Sequence, residues 1–220
     1  MSVERVDEVW RRLLPPGVAV SHGTYPDAVA APLSSRETAS LGAATPQRLH
    51  EFAAGRLHAR QALVAAGQDP IDIPRRCDGA PDWPEGFVGS ITHARHVEGS
   101  CIAAAVARSS MFSHLGIDAE FVAAIPARVW KVAFSARDVL DLMRLPVAER
   151  TCRAGILWSA REATIKAMGR AIQAGAFDIS LCPDTGDFVA RATDGSSWPG
   201  RSMRAGGWVF AAVSVPARRG

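Results

Sequence analysis

The segment Gly116-Ile117-Asp118-Ala119-Glu120 carries two carboxylates two residues apart within an apolar run. Side chains at this spacing on a β-strand point to the same face, so a strand here would project Asp118 and Glu120 together. Two carboxylates held this close repel each other unless a proton or a cation lies between them. Magnesium suits such a pair because it prefers oxygen ligands and often joins one or two carboxylates to substrate phosphates. The alternative is a strand end that enters solvent with two harmless acids, and the spacing alone favours that alternative.

Glu162 and Lys166 lie four residues apart in the longest helical pattern of the chain, which runs from Pro146 to about Gly169. Residues at this spacing share one face of a helix, and an exposed pair of this kind contributes only about 0.2–0.5 kcal/mol. The surrounding residues are mostly apolar, so the pair does not lie on an obviously solvated stripe. A carboxylate that completes a metal site, beside an ammonium that neutralises a phosphate, would suit phosphoryl transfer.

Arginines follow one side of an earlier predicted helix, at Arg48, Arg56 and Arg60, and continue in the next loop at Arg75-Arg76. The planar fork of arginine matches phosphate oxygens. The alternative is a set of solvated helix arginines, and for Arg60 the two interpretations are evenly balanced.

The segment Ser90-Ile91-Thr92-His93 ends a predicted strand, with Ser90 and Thr92 on one face. His93 could donate a hydrogen bond to a phosphate, although a histidine at a strand end is more often structural. The pair His93 and His96 has no partner that would argue for zinc.

The chain has 220 residues, of which 48% are hydrophobic and 21% charged, as in an ordinary soluble globular protein. Its formal net charge of +3 is too small to indicate nucleic-acid binding but suits an anionic substrate or an acidic partner. The four cysteines are scattered, the first residues are charged rather than apolar, and no apolar run is long enough to span a bilayer. We therefore expect a cytoplasmic protein with no membrane or nucleic-acid partner.

Helical and strand patterns alternate twice along the chain. Helices are predicted over 3–14, from Thr45-Pro46 to Gly67, and over 146–169; strands are predicted over 17–21, 87–92, 101–107, 115–120, 177–182, 188–192 and 208–215. This pattern predicts an α+β protein of two halves, residues 1–112 and 113–220.

Taken together and in this order, these features resemble the Sfp-type 4′-phosphopantetheinyl transferases, in their single-chain, pseudo-dimeric group. Four blocks carry the resemblance, from about Arg48 to Ala167: Phe52-Ala53-Ala54-Gly55-Arg56 with Ala59-Arg60; Pro81-Asp82-Trp83-Pro84 with Gly89-Ser90-Ile91-Thr92-His93; Gly116-Ile117-Asp118-Ala119-Glu120; and Trp158-Ser159-Ala160-Arg161-Glu162 with Lys166-Ala167.

The resemblance implies two similar α+β halves in a pseudo-twofold arrangement, with the active site in the cleft between them. It also implies that a carrier-protein serine attacks the β-phosphate of coenzyme A and that adenosine 3′,5′-bisphosphate leaves. Asp118, Glu120 and Glu162 match the metal ligands of the family. Glu162 would accept the serine proton, Lys166 would contact phosphate, and Asp118 would also take part in catalysis.

The same resemblance assigns the coenzyme A contacts. It places them at Arg48, Arg56, Arg75, Ser90, Thr92, His93 and Lys166. The metal would be Mg²⁺, with Mn²⁺ as an alternative, and the acceptor an apo acyl or peptidyl carrier of siderophore, polyketide or non-ribosomal peptide biosynthesis. We expect a monomer. The roles of Arg60 and Arg76 stay open.

Some residues depart from the family pattern or allow another interpretation. Asp78 would repel a phosphate, so Arg75 or Arg76 must compensate if their loop binds coenzyme A. The segment 121–134 is expected to receive the carrier protein, an ordinary packed helix being the alternative. A magnesium-dependent pyrophosphate hydrolase and a non-catalytic coenzyme A or carrier-binding module are the rival functions.

Overall fold

The computed structural model describes residues 3–24, 32–169 and 177–218. Its helices are α1 (Val3–Leu13), α2 (Ser35–Leu41), α3 (Pro46–Ala65), α4 (Trp130–Ala133), α5 (Ala136–Arg144) and α6 (Val147–Met168). Its strands are β1 (Val18–Gly23), β2 (Phe87–His96), β3 (Gly99–Arg108), β4 (Phe112–Phe121), β5 (Phe177–Leu181), β6 (Asp187–Ala192), β7 (Ser197–Ala205) and β8 (Trp208–Pro216). In these described stretches no helix is both long and apolar enough to cross a membrane.

The N-terminal half is an antiparallel three-stranded sheet, ordered β1-β3-β2, with α3 against it. Helix α3 begins where predicted, because the Thr45 side chain caps it by accepting a hydrogen bond from the backbone nitrogen of Arg48, and Pro46 fits the first turn. The central strand β3 is apolar and buried from Cys101 to Ala107 because both of its faces are covered. One face joins a core that includes Trp10, and the other packs with Leu63 of α3.

The C-terminal half is a five-stranded antiparallel sheet, ordered β4-β8-β7-β6-β5, with α6 packed on β4 and β8. Helix α6 ends at Gly169, which adopts the left-handed conformation that glycine allows at low cost.

The two halves have the same connectivity. In each half, the first strand is followed by a long helix and then by antiparallel strands, and the first strand pairs with the last. The order β1-β3-β2 thus corresponds to β4-β8-β7. The additional strands β5 and β6, which come between α6 and β7 in the chain, extend the second sheet. The predicted α+β fold of two similar halves is confirmed. Each half begins its sheet with a strand before the long helix, at the positions where the strands 17–21 and 115–120 were predicted. The division at 112/113 stays a prediction.

Side-chain hydroxyls join the two sheets where β2 runs beside β4. Ser90 Oγ accepts a hydrogen bond from the backbone nitrogen of Ile117 at 3.0 Å, and Thr92 Oγ1 accepts one from that of Ala119 at 3.1 Å. Both hydroxyl side chains are buried. They satisfy backbone donors that would otherwise be buried without a partner.

Gly116 lets α6 approach β4 closely. A Cβ atom at this position would lie 1.9 Å from the carbonyl oxygen of Ala163 and 2.6 Å from the backbone nitrogen of Ala167, distances that no side chain could occupy without moving the helix. This contact places Glu162 and Lys166 of α6 beside the carboxylates of β4.

The sequence interpretation missed three elements, α2, α5 and β7. Helix α2 has only 7 residues, too short for a clear helical period, whereas the 9 residues of α5 are amphipathic and follow a capping box of Ser135 and Asp138, a signal that was overlooked. Strand β7 contains Pro199 and Gly200, residues typical of turns. Gly200 is required there because a Cβ atom would lie 2.2 Å from the ring of Phe188.

Candidate active site

Asp118 lies near the end of β4 with only 5% of its surface exposed. Its Oδ1 accepts hydrogen bonds from Lys166 Nζ at 2.7 Å and from Thr92 Oγ1 at 3.1 Å. Its Oδ2 is buried and has no hydrogen-bond partner in the structure. A buried carboxylate oxygen without a partner is costly, so this atom is a candidate ligand for a cation.

Glu120 and Glu162 are electrostatically coupled to Asp118. Burial raises the pKa of Glu120 to about 7; the negative charges of Asp118 and Glu162 act in the same direction, and the backbone nitrogen of Phe121 and the charge of Lys166 oppose them. Burial also raises the pKa of Glu162, with the charge of Lys166 opposing and that of Asp118 adding. The three predicted metal ligands therefore lie in one neighbourhood and disfavour each other's charge.

Across the three described stretches, no group of three His, Cys, Asp or Glu side chains is already arranged as a metal site. Lys166 instead neutralises one oxygen of Asp118. The unpartnered Oδ2 of Asp118 and the mutual repulsion with Glu120 and Glu162 fit a hard cation with oxygen ligands. The assignment of Asp118, Glu120 and Glu162 as metal ligands stays a prediction that these observations support.

A cleft of about 530 Å³ lies between the two halves. Its walls are formed by the loop 76–83, by strand β2 from Phe87 to Ile91, by Ser113–Leu115 of β4 and by Ile165–Gly169 at the end of α6. The lining includes two predicted coenzyme A contacts, Ser90 and Lys166. Lys166 thus belongs to the cleft and to the carboxylate cluster at once.

Arg76 also lines the cleft. Its guanidinium pairs with Asp78, with Nη2 2.5 Å from Oδ2 and Nε 3.3 Å from Oδ1. The negative charge that the sequence placed in this loop is therefore matched by a neighbouring arginine. Arg75, the predicted contact, is exposed and outside the lining, with its Nε 3.4 Å from the carbonyl oxygen of Gly79.

Arg48 and His93 meet at the end of β2. Arg48 Nη1 lies 3.1 Å from His93 Nε2 and 3.4 Å from Glu51 Oε2. Burial lowers the pKa of His93; the charge of Glu51 opposes this, and those of Lys166 and Arg48 add to it. Because a guanidinium can only donate, His93 Nε2 accepts the hydrogen bond from Arg48, and the lowered pKa of His93 favours the neutral ring that this bond requires. The structure brings this predicted pair together, near Lys166.

Arg56 and Arg60 have partners within the protein. Arg56 is buried, lies 4.0 Å from the centre of the Phe52 ring, and donates from Nε to the carbonyl oxygen of Ile73. Arg60 Nη1 donates to both carboxylate oxygens of Glu37, at 2.8 and 2.9 Å. Arg60 therefore serves the fold, whereas a coenzyme A contact by Arg56 stays a prediction. Thr92, buried between the sheets, lies outside the cleft lining.

His114 and Trp83 line the cleft and were not among the predicted site residues. His114 Nδ1 lies 3.1 Å from the carbonyl oxygen of Ala167, and its ring contacts that of Trp198 edge-on. A period of two continued backwards from Asp118 along β4 would have found it, since residues 114, 116 and 118 share a face. The Trp83 ring lies over Gly89, where a Cβ atom would come within 2.7 Å of it.

Comparison with known proteins identifies the family of this chain. The family model described as the 4′-phosphopantetheinyl transferase N-terminal domain matches residues 36–107, and that of the 4′-phosphopantetheinyl transferase superfamily matches residues 114–212. The 4′-phosphopantetheinyl transferase Svp of Streptomyces mobaraensis is 35% identical over 195 residues, which cover 80% of this chain and 73% of Svp.

Two further relatives match shorter stretches. The transferase Npt of Nocardia iowensis is 36% identical over 129 residues, 55% of this chain and 52% of Npt. The transferase PptT of Mycobacterium tuberculosis is 36% identical over 138 residues, 62% of this chain and 55% of PptT. The chain belongs to the 4′-phosphopantetheinyl transferase superfamily, which confirms the predicted family and the predicted class of enzyme.

The raised pKa of Glu120 predicts a specific stability change. A carboxyl group whose pKa is higher in the folded than in the unfolded protein stabilises the fold at pH values below the unfolded pKa. This contribution is lost as the pH rises through the folded pKa, which is about 7 for Glu120. In the presence of EDTA at pH 8, Glu120→Gln should therefore raise the melting temperature by about 3 °C, and at pH 5 leave it almost unchanged. Thermal unfolding followed by circular dichroism measures this. Glu85→Gln, at an exposed loop position, is the control, and an unchanged or lower melting temperature for Glu120→Gln at pH 8 would contradict the prediction.

Proposed function

We propose that this chain transfers the 4′-phosphopantetheine arm of coenzyme A to a serine hydroxyl of an apo acyl or peptidyl carrier protein. The serine oxygen forms a bond to the β-phosphorus, the bond from that phosphorus to the bridging oxygen breaks, and adenosine 3′,5′-bisphosphate leaves. The observation that carries this proposal is the position of Lys166, which lines the cleft while its Nζ pairs with the buried Asp118. A substrate phosphate in the cleft would thus lie next to both the ammonium and the carboxylates.

Asp118, Glu120 and Glu162 are the residues that would hold a magnesium or manganese ion. Such an ion, when bound, would neutralise charge on the pyrophosphate. Lys166 would contact a phosphate oxygen from the cleft side, because its side chain lines the cleft and is 28% exposed. Arg48 and His93, together with Arg56, Arg75, Ser90 and Thr92, are proposed as further contacts or supports for coenzyme A.

Glu162 is the proposed acceptor of the serine proton. Its pKa is raised by burial, so it holds a proton more readily than an exposed carboxylate near neutral pH. The charge of Lys166, one helical turn away, opposes this rise in pKa and so favours the ionised form that can accept a proton.

The hydrolase alternative would use the same carboxylates to activate water. Burying several acidic side chains around one lysine costs stability. A non-catalytic binding module gives no reason for that cost. A carrier-dependent reaction separates the proposed function from both alternatives.

Transfer to a carrier protein is the direct test. Incubation with coenzyme A, Mg²⁺ and a panel of apo acyl and peptidyl carriers should add one phosphopantetheine mass to a carrier, as measured by mass spectrometry. Asp118→Asn should lower turnover about 10²- to 10³-fold, because it removes a carboxylate that would hold the divalent cation and that pairs with Lys166. Asp184→Asn, in an exposed turn, is the matched control and should leave turnover unchanged.

Two outcomes would overturn this proposal. Product release from coenzyme A without any carrier would indicate a hydrolase. Near-normal transfer by Asp118→Asn would show that this carboxylate is misassigned.

The expected docking segment, 121–134, is only partly available to a carrier. Ile125 and Trp130 are both 6% exposed and pack in the core of the C-terminal half, and Trp130 Nε1 donates to the carbonyl oxygen of Ile125 at 3.3 Å. Both residues are therefore packed in the core, and of the two only Trp130 lies in a helix, α4. Arg128 and Lys131 remain exposed.

A set of exposed apolar side chains, called the apolar patch below, lies at the end of that segment and just after it. It consists of Val132, Leu140, Met143 and Val147, which are 75%, 60%, 53% and 76% exposed. Arg128, Lys131 and Arg137 are exposed on the same stretch of chain. Apolar side chains with basic neighbours suit an acidic, amphipathic helix, so we place the carrier protein here.

The patch predicts a selective change in carrier affinity. Combining Leu140→Ser with Met143→Ser should raise the KM for the carrier about tenfold and leave the KM for coenzyme A unchanged, because neither residue lines the cleft. Steady-state kinetics with each substrate varied in turn measures this. Val64→Ser, at an apolar position of α3 that is 51% exposed, is the control, and an unchanged KM for the carrier in the double variant would place the docking surface elsewhere.

A further inference from the structure

Glu37 of α2 is a fully buried carboxylate that lies outside the cleft. Its Oε1 accepts hydrogen bonds from Arg60 Nη1 at 2.8 Å and from the backbone nitrogen of Ile73 at 3.0 Å. Its Oε2 accepts from Arg60 Nη1 at 2.9 Å and from the backbone nitrogen of Ser34 at 3.1 Å. Both oxygens are fully used, which a buried carboxylate requires if it is to keep its charge.

The peptide groups of Ile73 are held from both sides by charged residues. Glu37 accepts from its N–H, and Arg56 Nε donates to its carbonyl oxygen. The side chain of Ile73 is fully buried with Leu63 and Phe87. Burial removes water from Arg56 and thereby lowers its pKa to about 10. The charge of Glu37 opposes that change. The position of Ile73 is therefore fixed by contacts to its N–H, its carbonyl oxygen and its side chain.

The residues that follow Ile73 form one wall of the cleft; residues 74–83 are called the cleft loop below. A second residue of α2 holds its start, because Ser40 Oγ accepts a hydrogen bond from the backbone nitrogen of Arg75 at 2.9 Å. The loop then closes on itself: the backbone nitrogen of Asp82 donates to the carbonyl oxygen of Pro74, and that of Arg76 to the carbonyl oxygen of Ala80. The lining residues of the loop, Arg76 and Asp78–Trp83, project from this closed base.

We infer that Glu37, through Ile73, is a positioning residue that fixes the cleft loop for coenzyme A, with Ser40 of the same helix as a second support. Glu37 itself reaches no cleft atom and acts through the loop. Its charge is needed because each group bonded to it is a donor. The amide nitrogen of a glutamine would face one of these donors and lose at least one hydrogen bond.

The test compares two α2 variants with a control in the same helix, and its kinetic part rests on the proposed function. Glu37→Gln should raise the KM for coenzyme A about tenfold, and Ser40→Ala about threefold, with kcat at saturating coenzyme A changed by no more than about twofold. Hydrogen exchange of the amides of residues 75–82 should become faster in both variants. Thr38→Ala removes an exposed hydroxyl that bonds only within α2, to the carbonyl oxygen of Ser34, and should change neither quantity.

A lower melting temperature with an unchanged KM and unchanged loop exchange would overturn the inference, because Glu37 would then only stabilise the fold. If Glu37→Gln does not fold, Ser40→Ala decides, since it removes a side-chain acceptor of the loop while Glu37 remains. If the wild-type protein transfers nothing to any carrier, the proposed function fails. Loop exchange alone then decides: faster exchange supports the positioning role, and unchanged exchange overturns it.

Discussion

The backbone of α6 lies directly against β4 at Gly116, where a Cβ atom would come 1.9 Å from the carbonyl oxygen of Ala163. The other features of the site depend on this contact. It brings the Lys166 ammonium to 2.7 Å from the Asp118 carboxylate across 48 residues of sequence, and it sets Glu162 beside the same strand. A larger residue at position 116 would move α6 away from β4. Lys166 and Glu162 would then lie further from Asp118, and the proposed reaction needs these groups side by side.

The same arrangement costs stability. Burial and mutual repulsion raise the pKa of Glu120 to about 7 and also raise that of Glu162. Ionising these carboxyl groups therefore costs more free energy in the folded protein than in water. Lys166 offsets part of this by pairing with Asp118, but Asp118 Oδ2 is left without a partner. Strain of this kind at a cleft between two domain halves is expected of a functional site rather than of a structural core.

Local patterns in the sequence predicted the carboxylate strand and the Glu162–Lys166 helix, because periods of two and of about four residues determine which side chains share a face. They could not predict the role of Ser90 and Thr92 in joining β2 to β4, since that depends on a strand that lies 27 residues further along the chain. The role of Arg60 stayed open because its partner Glu37 is distant in sequence. Glu37 also lies on a helix of seven residues, which gave no clear period.

The central claim is that Asp118, Glu120 and Glu162 bind one divalent cation together with coenzyme A in the cleft. The most direct test is calorimetric titration of Mg²⁺ into the protein saturated with coenzyme A, for the wild type and for Asp118→Asn and Glu162→Gln. The account predicts one cation per chain, bound at least about tenfold more weakly by each variant. Equal affinity in the wild type and both variants would contradict it, because the cation would then be bound by coenzyme A or by other residues.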